Sequence, residues 1–179
     1  LSMACALGEY QDRKLAKVIG KLMGTFDTEA RGILTDSLTQ TSQGHPEAVA
    51  ALLVQKGSLQ VVAITAALRR LGPTALPAVV DQLKVADART NAVAYLVAAG
   101  KPSVPFLLPV LEDKDKDIRL SAADALGKIG AEEAVPALTK LYEGSSGDEK
   151  FGYLSALSGV GSPQSEGLLT KAVEDEANS

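Results

Sequence analysis

The side chains that could do chemistry in this sequence are few, and their spacing gives no catalytic arrangement. Acyl transfer needs a nucleophile beside a base, but the 179 residues contain one cysteine, Cys5, and one histidine, His45. One cysteine excludes an internal disulfide, and one histidine leaves no Cys/His zinc site. We therefore predict no catalytic residue, no metal site and no cofactor. We interpret Cys5 as a small structural residue, and the alternative is a reactive or covalently modified thiol. His45 precedes Pro46, which favours a turn or helix start for this histidine.

The acidic run from Glu112 to Asp117 and the recurring glycines also suggest binding chemistry at first sight. The run reads Glu-Asp-Lys-Asp-Lys-Asp and lacks the glycine and the final glutamate of a calcium-binding loop. It is more typical of a solvated turn whose carboxylates cap a helix. The glycines form no phosphate loop and fit helix C-terminal caps.

The charge and hydropathy of the chain exclude two further classes of function. The 18 Lys and Arg residues against 22 Asp and Glu residues give a net charge of −4, which does not favour a nucleic-acid partner. The longest stretch without charge, residues 151–165, is interrupted by Gly, Ser, Pro and Gln, so we expect no membrane insertion. We expect a soluble cytoplasmic domain. The missing initiator Met suggests part of a longer chain and leaves a signal peptide open.

An internal repeat organises the sequence. Residues 1–8 (LSMACALG) and 120–127 (LSAADALG) are identical at six of eight positions. Closing glycines at Gly72, Gly100, Gly130 and Gly161 are 28, 30 and 31 residues apart. A position that is usually basic lies 11 residues before each closing glycine: Val61, Arg89, Arg119 and Lys150. A constant spacing indicates a rigid element, so each unit ends in a helix of fixed length.

Each unit is predicted to contain two helices and no strand. The second helix has apolar residues on one face at a 3.6-residue period, and its leucine column, Leu7, Leu68, Leu96, Leu126 and Leu157, is predicted core. The first helix starts near a proline: Pro46, Pro77, Pro105, Pro136 and Pro163. Asp115 or Asp87 is expected to cap a second helix, and Ser146 with Glu149 forms a capping-box pattern. The recurring Asp87/Arg89, Asp117/Arg119 and Asp148/Lys150 pairs predict a ladder of charges between neighbouring units.

The domain organisation follows from these landmarks. We predict one repeat domain over residues 1–179, with Leu1 inside a helix. Its parts are a partial repeat at 1–11, repeats at 12–43, 44–72, 73–100, 101–130 and 131–161, and a lone helix at 162–175.

The clearest copy runs from Val104-Pro105-Phe106-Leu107 through Asp117-Ile118-Arg119 to Ala125-Leu126-Gly127-Lys128-Ile129-Gly130. It resembles the HEAT-like repeat of the phycobilisome-lyase type, and the resemblance is strongest over 73–161. It implies an all-α, right-handed α-solenoid of antiparallel helix pairs whose second helices line a concave surface. Members of that family mostly hold other proteins, and some assist bilin attachment to phycobiliproteins.

Exposed positions of the second helices are the candidate partner-binding site. We predict apolar anchors at Val62, Leu120 and Phe151, hydrogen-bonding groups on Asn91, Asp124 and Ser155, and charges on Arg70 and Lys128. The predicted function is a non-catalytic scaffold that binds a protein or peptide on the concave face. A bilin-lyase-like enzyme subunit is the alternative function, and burial of the anchors between repeats is the alternative interpretation of the site. If the anchors are exposed, replacing Leu120 and Phe151 together by Ser should weaken binding without lowering the melting temperature.

Overall fold

The computed structural model describes residues 32, 35–36, 46–55 and 58–177. All regular structure in these residues is helical and none of them lies in a strand, so the all-α prediction is confirmed there. The predictions for Leu1, Cys5 and His45 fall outside the described residues.

Between residues 46 and 177 the described chain forms nine α-helices, several of them preceded or followed by a short 3-10 segment. They are α1 (Pro46–Ala50), α2 (Ser58–Leu71), α3 (Leu76–Asp81), α4 (Ala86–Ala99), α5 (Val104–Leu107), α6 (Lys116–Ile129), α7 (Val135–Gly144), α8 (Gly147–Val160) and α9 (Pro163–Ala177). The 3-10 segments are Ala51–Val54, Gly72–Ala75, Gln82–Lys84, Lys101–Ser103, Leu108–Glu112 and Glu132–Ala134.

The second helices of the units, α2, α4, α6 and α8, each contain 14 residues. A glycine with positive φ follows each one: Gly72 (67°), Gly100 (70°), Gly130 (72°) and Gly161 (62°). A side chain is unfavourable in this left-handed region, so glycine ends the helix at this point. After α6, the N–H of Ala131 also bonds the Leu126 carbonyl at 3.1 Å, which completes a Schellman turn. The predicted C-terminal caps are confirmed.

Four leucines of the predicted column lie in the core, as expected, and the fifth, Leu7, is outside the described residues. Leu68, Leu96, Leu126 and Leu157 are each the eleventh residue of their helix, and all four are fully buried. Because helix length and phase are the same in the four copies, the eleventh residue of each helix points into the core.

The first helices α1, α3, α5 and α7 are shorter than the second helices, and each begins at or next to a proline. Pro46, Pro77, Pro105, Pro136 and Pro163 occupy the first or second position of α1, α3, α5, α7 and α9, which confirms the predicted helix starts. Pro109, one turn after Pro105, has no N–H to donate to the Pro105 carbonyl. The helix therefore continues beyond Leu107 as the 3-10 segment Leu108–Glu112.

The chain forms two compact units, residues 1–95 and 96–179, with the boundary inside α4. In the first unit α1 contacts α2 and α3. In the second unit α8 contacts α6, α7 and α9. Helix α6 also packs on α5 and on the 3-10 segment Leu108–Glu112. No single helix in the described part is long and apolar enough to cross a membrane. Within the same residues, only α4 and the segment 101–112, taken together as one bent pair, reach that length and hydropathy.

Candidate functional site

The fifth residue of each second helix forms the first column of the candidate site. This column contains Val62, Thr90, Leu120 and Phe151. The Val62 side chain is 64% exposed and the Phe151 side chain is 72% exposed, and Thr90 is also exposed. Two of the three predicted apolar anchors therefore lie on the protein surface. Such large apolar side chains in water are available for contact with a partner.

Leu120 differs from the other two anchors because it is half-buried. It lies against Gly152 of α8, where an added Cβ would be 2.5 Å from Leu120 Cδ2. Glycine at residue 152 thus leaves the space that the Leu120 side chain fills. Leu120 contributes to packing within the second unit, so the prediction that it is a fully exposed anchor is wrong.

The ninth residue of each second helix forms the second column, one turn after the first. Asp124 and Ser155 are exposed in this column. Asp124 Oδ2 accepts a 2.8 Å hydrogen bond from Lys128 Nζ on the next turn of α6. Exposed pairs of this kind stabilise a helix by a few tenths of a kcal/mol, so a partner can replace either half at low cost.

Arg70 and Asn91, both in the first unit, already have partners within the protein. Arg70 Nη1 pairs with Asp36 Oδ1, and both side chains are more than half exposed. Asn91 Nδ2 donates to the carbonyls of Leu53 (2.6 Å) and Gln55 (3.1 Å). The amide hydrogens of Asn91 therefore bond the carbonyls at the end of the 3-10 segment Ala51–Val54. Its Oδ1 is the atom that remains for the predicted contact with a partner.

A polar cluster of Arg119, Glu149 and Tyr153 joins α6 to α8. Arg119 Nη2 pairs with Glu149 Oε1, Arg119 Nε donates to Tyr153 Oη at 3.1 Å, and Tyr153 Oη donates to Glu149 Oε1 at 2.8 Å. The predicted capping box at Ser146 is not formed, because the Ser146 side chain makes no capping hydrogen bond. Glu149 bonds across to α6 instead of back to its own helix start.

The surroundings of this cluster shift the pKa values of its members. Hydrogen bonds from Arg119 and then from Tyr153 lower the pKa of Glu149. Hydrogen bonding to Glu149 and then to Tyr153 raises the pKa of Arg119. Burial raises the pKa of Tyr153, because a phenolate is poorly solvated there. All three shifts favour the charged carboxylate, the charged guanidinium and the neutral phenol, which is the state that holds α6 and α8 together.

The recurring basic position makes contacts within its own repeat, which its spacing did not reveal. Arg89 Nε donates to the Leu83 carbonyl at 2.8 Å, and Arg119 Nη1 donates to the Asp113 carbonyl at 2.8 Å. In both copies the acceptor lies six residues earlier, at the end of the first segment of the same repeat. In the next copy Lys150 Nζ lies 4.9 Å from the centre of the Tyr142 ring instead. The basic side chain thus fixes the turn between the two helices of its repeat.

The acidic run caps helix α6, as predicted for a turn. Asp115 Oδ1 accepts the Asp117 N–H at 2.8 Å, and Asp113 Oδ1 accepts the Asp115 N–H at 2.9 Å. In the part of the chain that the structure describes, no three His, Cys, Asp or Glu side chains come close enough to hold a metal ion.

Together, the alternation of short proline-led helices with 14-residue helices of one phase defines an α-helical repeat protein. The comparison with known families agrees with this class, because residues 76–158 match the family model of HEAT repeats. The resemblance inferred from the sequence is confirmed there for HEAT repeats in general. Comparison with curated proteins and with solved structures found no match.

Proposed function

We propose that this protein is a non-catalytic scaffold that binds a protein or peptide partner on the surface of its second helices. HEAT repeats commonly serve as protein-interaction scaffolds. The observation that carries the proposal is Phe151, a large aromatic side chain that is 72% exposed. A few aromatic contacts usually provide most of the affinity of an interface. We further propose that the repeats form a right-handed α-solenoid with this surface on its concave side.

Polar groups on α8 and on α6, which packs against it, suit a binding surface with a polar margin. Ser155 lies one turn further along α8, on the same side of the helix, and is exposed. The Asp124–Lys128 pair on α6 offers one charge of each sign. Because this pair is exposed, Asp124 or Lys128 can pair with a charged group of the partner instead, with little loss of free energy. We therefore propose Phe151 as the anchor and these polar groups as the residues that set the orientation of the partner.

We also propose that the protein acts in the cytoplasm. Its single cysteine provides no internal disulfide, a composition common in reducing compartments. Fractionation of cells that express the full-length protein tests this location, and recovery outside the cytoplasm contradicts it.

Affinity purification with three matched baits tests the scaffold proposal. The baits are the unaltered chain, Phe151→Ser, and Phe106→Ser as a control on the first helix α5, where Phe106 is 36% exposed. A partner that depends on the Phe151 surface should be retained by the unaltered chain and by the control. Its affinity for Phe151→Ser should fall about tenfold or more, as expected for a hot-spot aromatic. Equal affinity for all three baits contradicts the proposal.

A further inference from the structure

A second surface, separate from Phe151, lies on the first helices of the second unit. It is an open groove of about 270 Å³, which we call the α7 groove. Its lining residues come from the end of one first segment, the start of α6 and one side of α7: Leu111, Glu112, Asp113, Arg119, Ala137, Lys140 and Leu141. None of the residues of the candidate site on the second helices lines it.

The floor of the α7 groove is apolar and small. Leu111, Ala137 and Leu141 provide it. Sites for drug-sized ligands usually enclose about 300 to 1,000 Å³, so this groove lies below that range. It suits one aliphatic side chain with its adjacent backbone better than a cofactor.

The charges along the groove favour a cationic occupant. Two carboxylates, Glu112 and Asp113, and two cations, Arg119 and Lys140, line it. Glu149, which is outside the groove, already compensates the Arg119 charge, and the Nε and Nη1 donors of that guanidinium bind Tyr153 and the carbonyls of Asp113 and Lys114. Among the lining residues, the two carboxylates are then balanced by the single remaining cation of Lys140.

The neighbouring chain leaves this balance unchanged, because residues 114–117 contain two lysines and two aspartates. Glu112 has no ion-pair partner among the residues that the structure describes. Lys140 is exposed and lies on α7, where its ammonium group can donate to a peptide carbonyl.

We propose that the α7 groove binds an extended peptide segment of a partner protein, in which an aliphatic residue is followed by Arg or Lys. The aliphatic side chain covers Leu111, Ala137 and Leu141, and the cation pairs with Glu112. This contact is independent of the Phe151 surface, so a partner that uses both would bind more tightly than either contact alone provides.

Two capped tetrapeptides test the proposal with isotope-labelled full-length chain. Acetyl-Gly-Leu-Arg-Gly-amide should cause saturable amide shifts at Leu111, Ala137 and Leu141, with a dissociation constant of roughly millimolar strength for so few contacts. Acetyl-Gly-Leu-Glu-Gly-amide should bind more weakly at the same residues. Equal affinity for both peptides, or shifts at Phe151 in place of the groove, overturns the proposal.

Three variants locate the contact. Glu112→Gln should weaken the arginine peptide about two- to fivefold, as expected for an exposed ion pair, whereas Glu133→Gln, an exposed glutamate outside the groove, should leave its affinity unchanged. Phe151→Ser should also leave it unchanged, which separates this proposal from the scaffold proposal. Ala137→Trp should fill the groove and abolish binding. If Ala137→Trp does not fold, the comparison of the two glutamate variants decides, and equal affinities for these two contradict the proposal.

Discussion

Gly127 of α6 faces Ala156 of α8 so closely that a Cβ on Gly127 would lie 2.7 Å from the Ala156 carbonyl oxygen and 2.9 Å from its Cα. The contact is repeated at Gly159, where a Cβ would lie 3.0 Å from the Gly127 carbonyl carbon and oxygen. Real Cβ atoms do not approach a backbone this closely, so the two helices meet backbone to backbone.

Replacing Gly127 by Ala should destabilise the second unit. The methyl group meets backbone atoms that cannot rotate away, and overpacking of this kind costs about 1 to 3 kcal/mol. Urea unfolding followed by circular dichroism measures the effect. Gly167→Ala is the matched control, because Gly167 lies inside α9 with nothing within 4 Å of its Cβ position. There alanine should stabilise the helix by about 0.5 to 1 kcal/mol. Similar changes for both variants would contradict the close contact.

Acid should weaken the Arg119–Glu149–Tyr153 cluster. The pKa of Glu149 is lowered from 4.5 in the folded chain, so the unfolded chain takes up the proton at a higher pH than the folded chain does. The stabilisation is therefore present above pH 4.5 and is lost as the pH falls through the lower folded value. Glu149→Gln should reduce the free energy of unfolding at neutral pH by about 1 to 3 kcal/mol. This difference should shrink below pH 4.5, and a difference that is independent of pH contradicts the assignment.

Asn91→Ala should destabilise the first unit. It removes the N–H donors of the Leu53 and Gln55 carbonyls, and loss of partners for part-buried carbonyls costs about 1 to 3 kcal/mol. Thermal unfolding of the full chain should show a lower melting temperature. The exposed residue Thr90 beside it provides the control, since Thr90→Ala should change stability by less than about 0.5 kcal/mol. An unchanged melting temperature for Asn91→Ala would mean that these two hydrogen bonds add no stability and that Asn91 is available to a partner.

Leu120→Ser and Phe151→Ser should separate packing from surface exposure. Phe151 is 72% exposed, so its loss should change the free energy of unfolding by less than about 0.5 kcal/mol. Leu120 is half-buried against Gly152, and its replacement should cost about 1 to 2 kcal/mol through lost apolar burial. Chemical denaturation of both variants in parallel measures this difference. Equal losses would mean that the two side chains have similar environments.

The helices, their ends and their buried faces were predictable from the sequence because all three depend on local spacing. Gly130 ends α6, which follows from the conformational preference of glycine. Leu126 of the same helix is buried, which follows from the 3.6-residue period. Asp115 as a cap is equally local. The exposure of Val62 and Phe151 follows from the same phase.

The contacts between helices were not predictable in the same way. Ser146 and Glu149 have the spacing of a capping box, but Glu149 bonds to Arg119, which lies 30 residues earlier. Leu120 has the phase of an exposed residue, yet Gly152 on a neighbouring helix gives it space to pack. Such outcomes depend on the distance between two helices, which the residue spacing within either helix does not predict.

The 14-residue second helices, each followed by its glycine, limit how a gene for this protein can change in length. Deleting one codon inside α6 would rotate all later side chains of the helix by roughly 100°, which would turn Leu126 out of the core and displace the glycine at 130. The stretches between a closing glycine and the next second helix, residues 73–85, 101–115 and 131–146, already differ in length. Insertions and deletions should therefore accumulate in these stretches during evolution, while whole repeats are gained or lost from glycine to glycine.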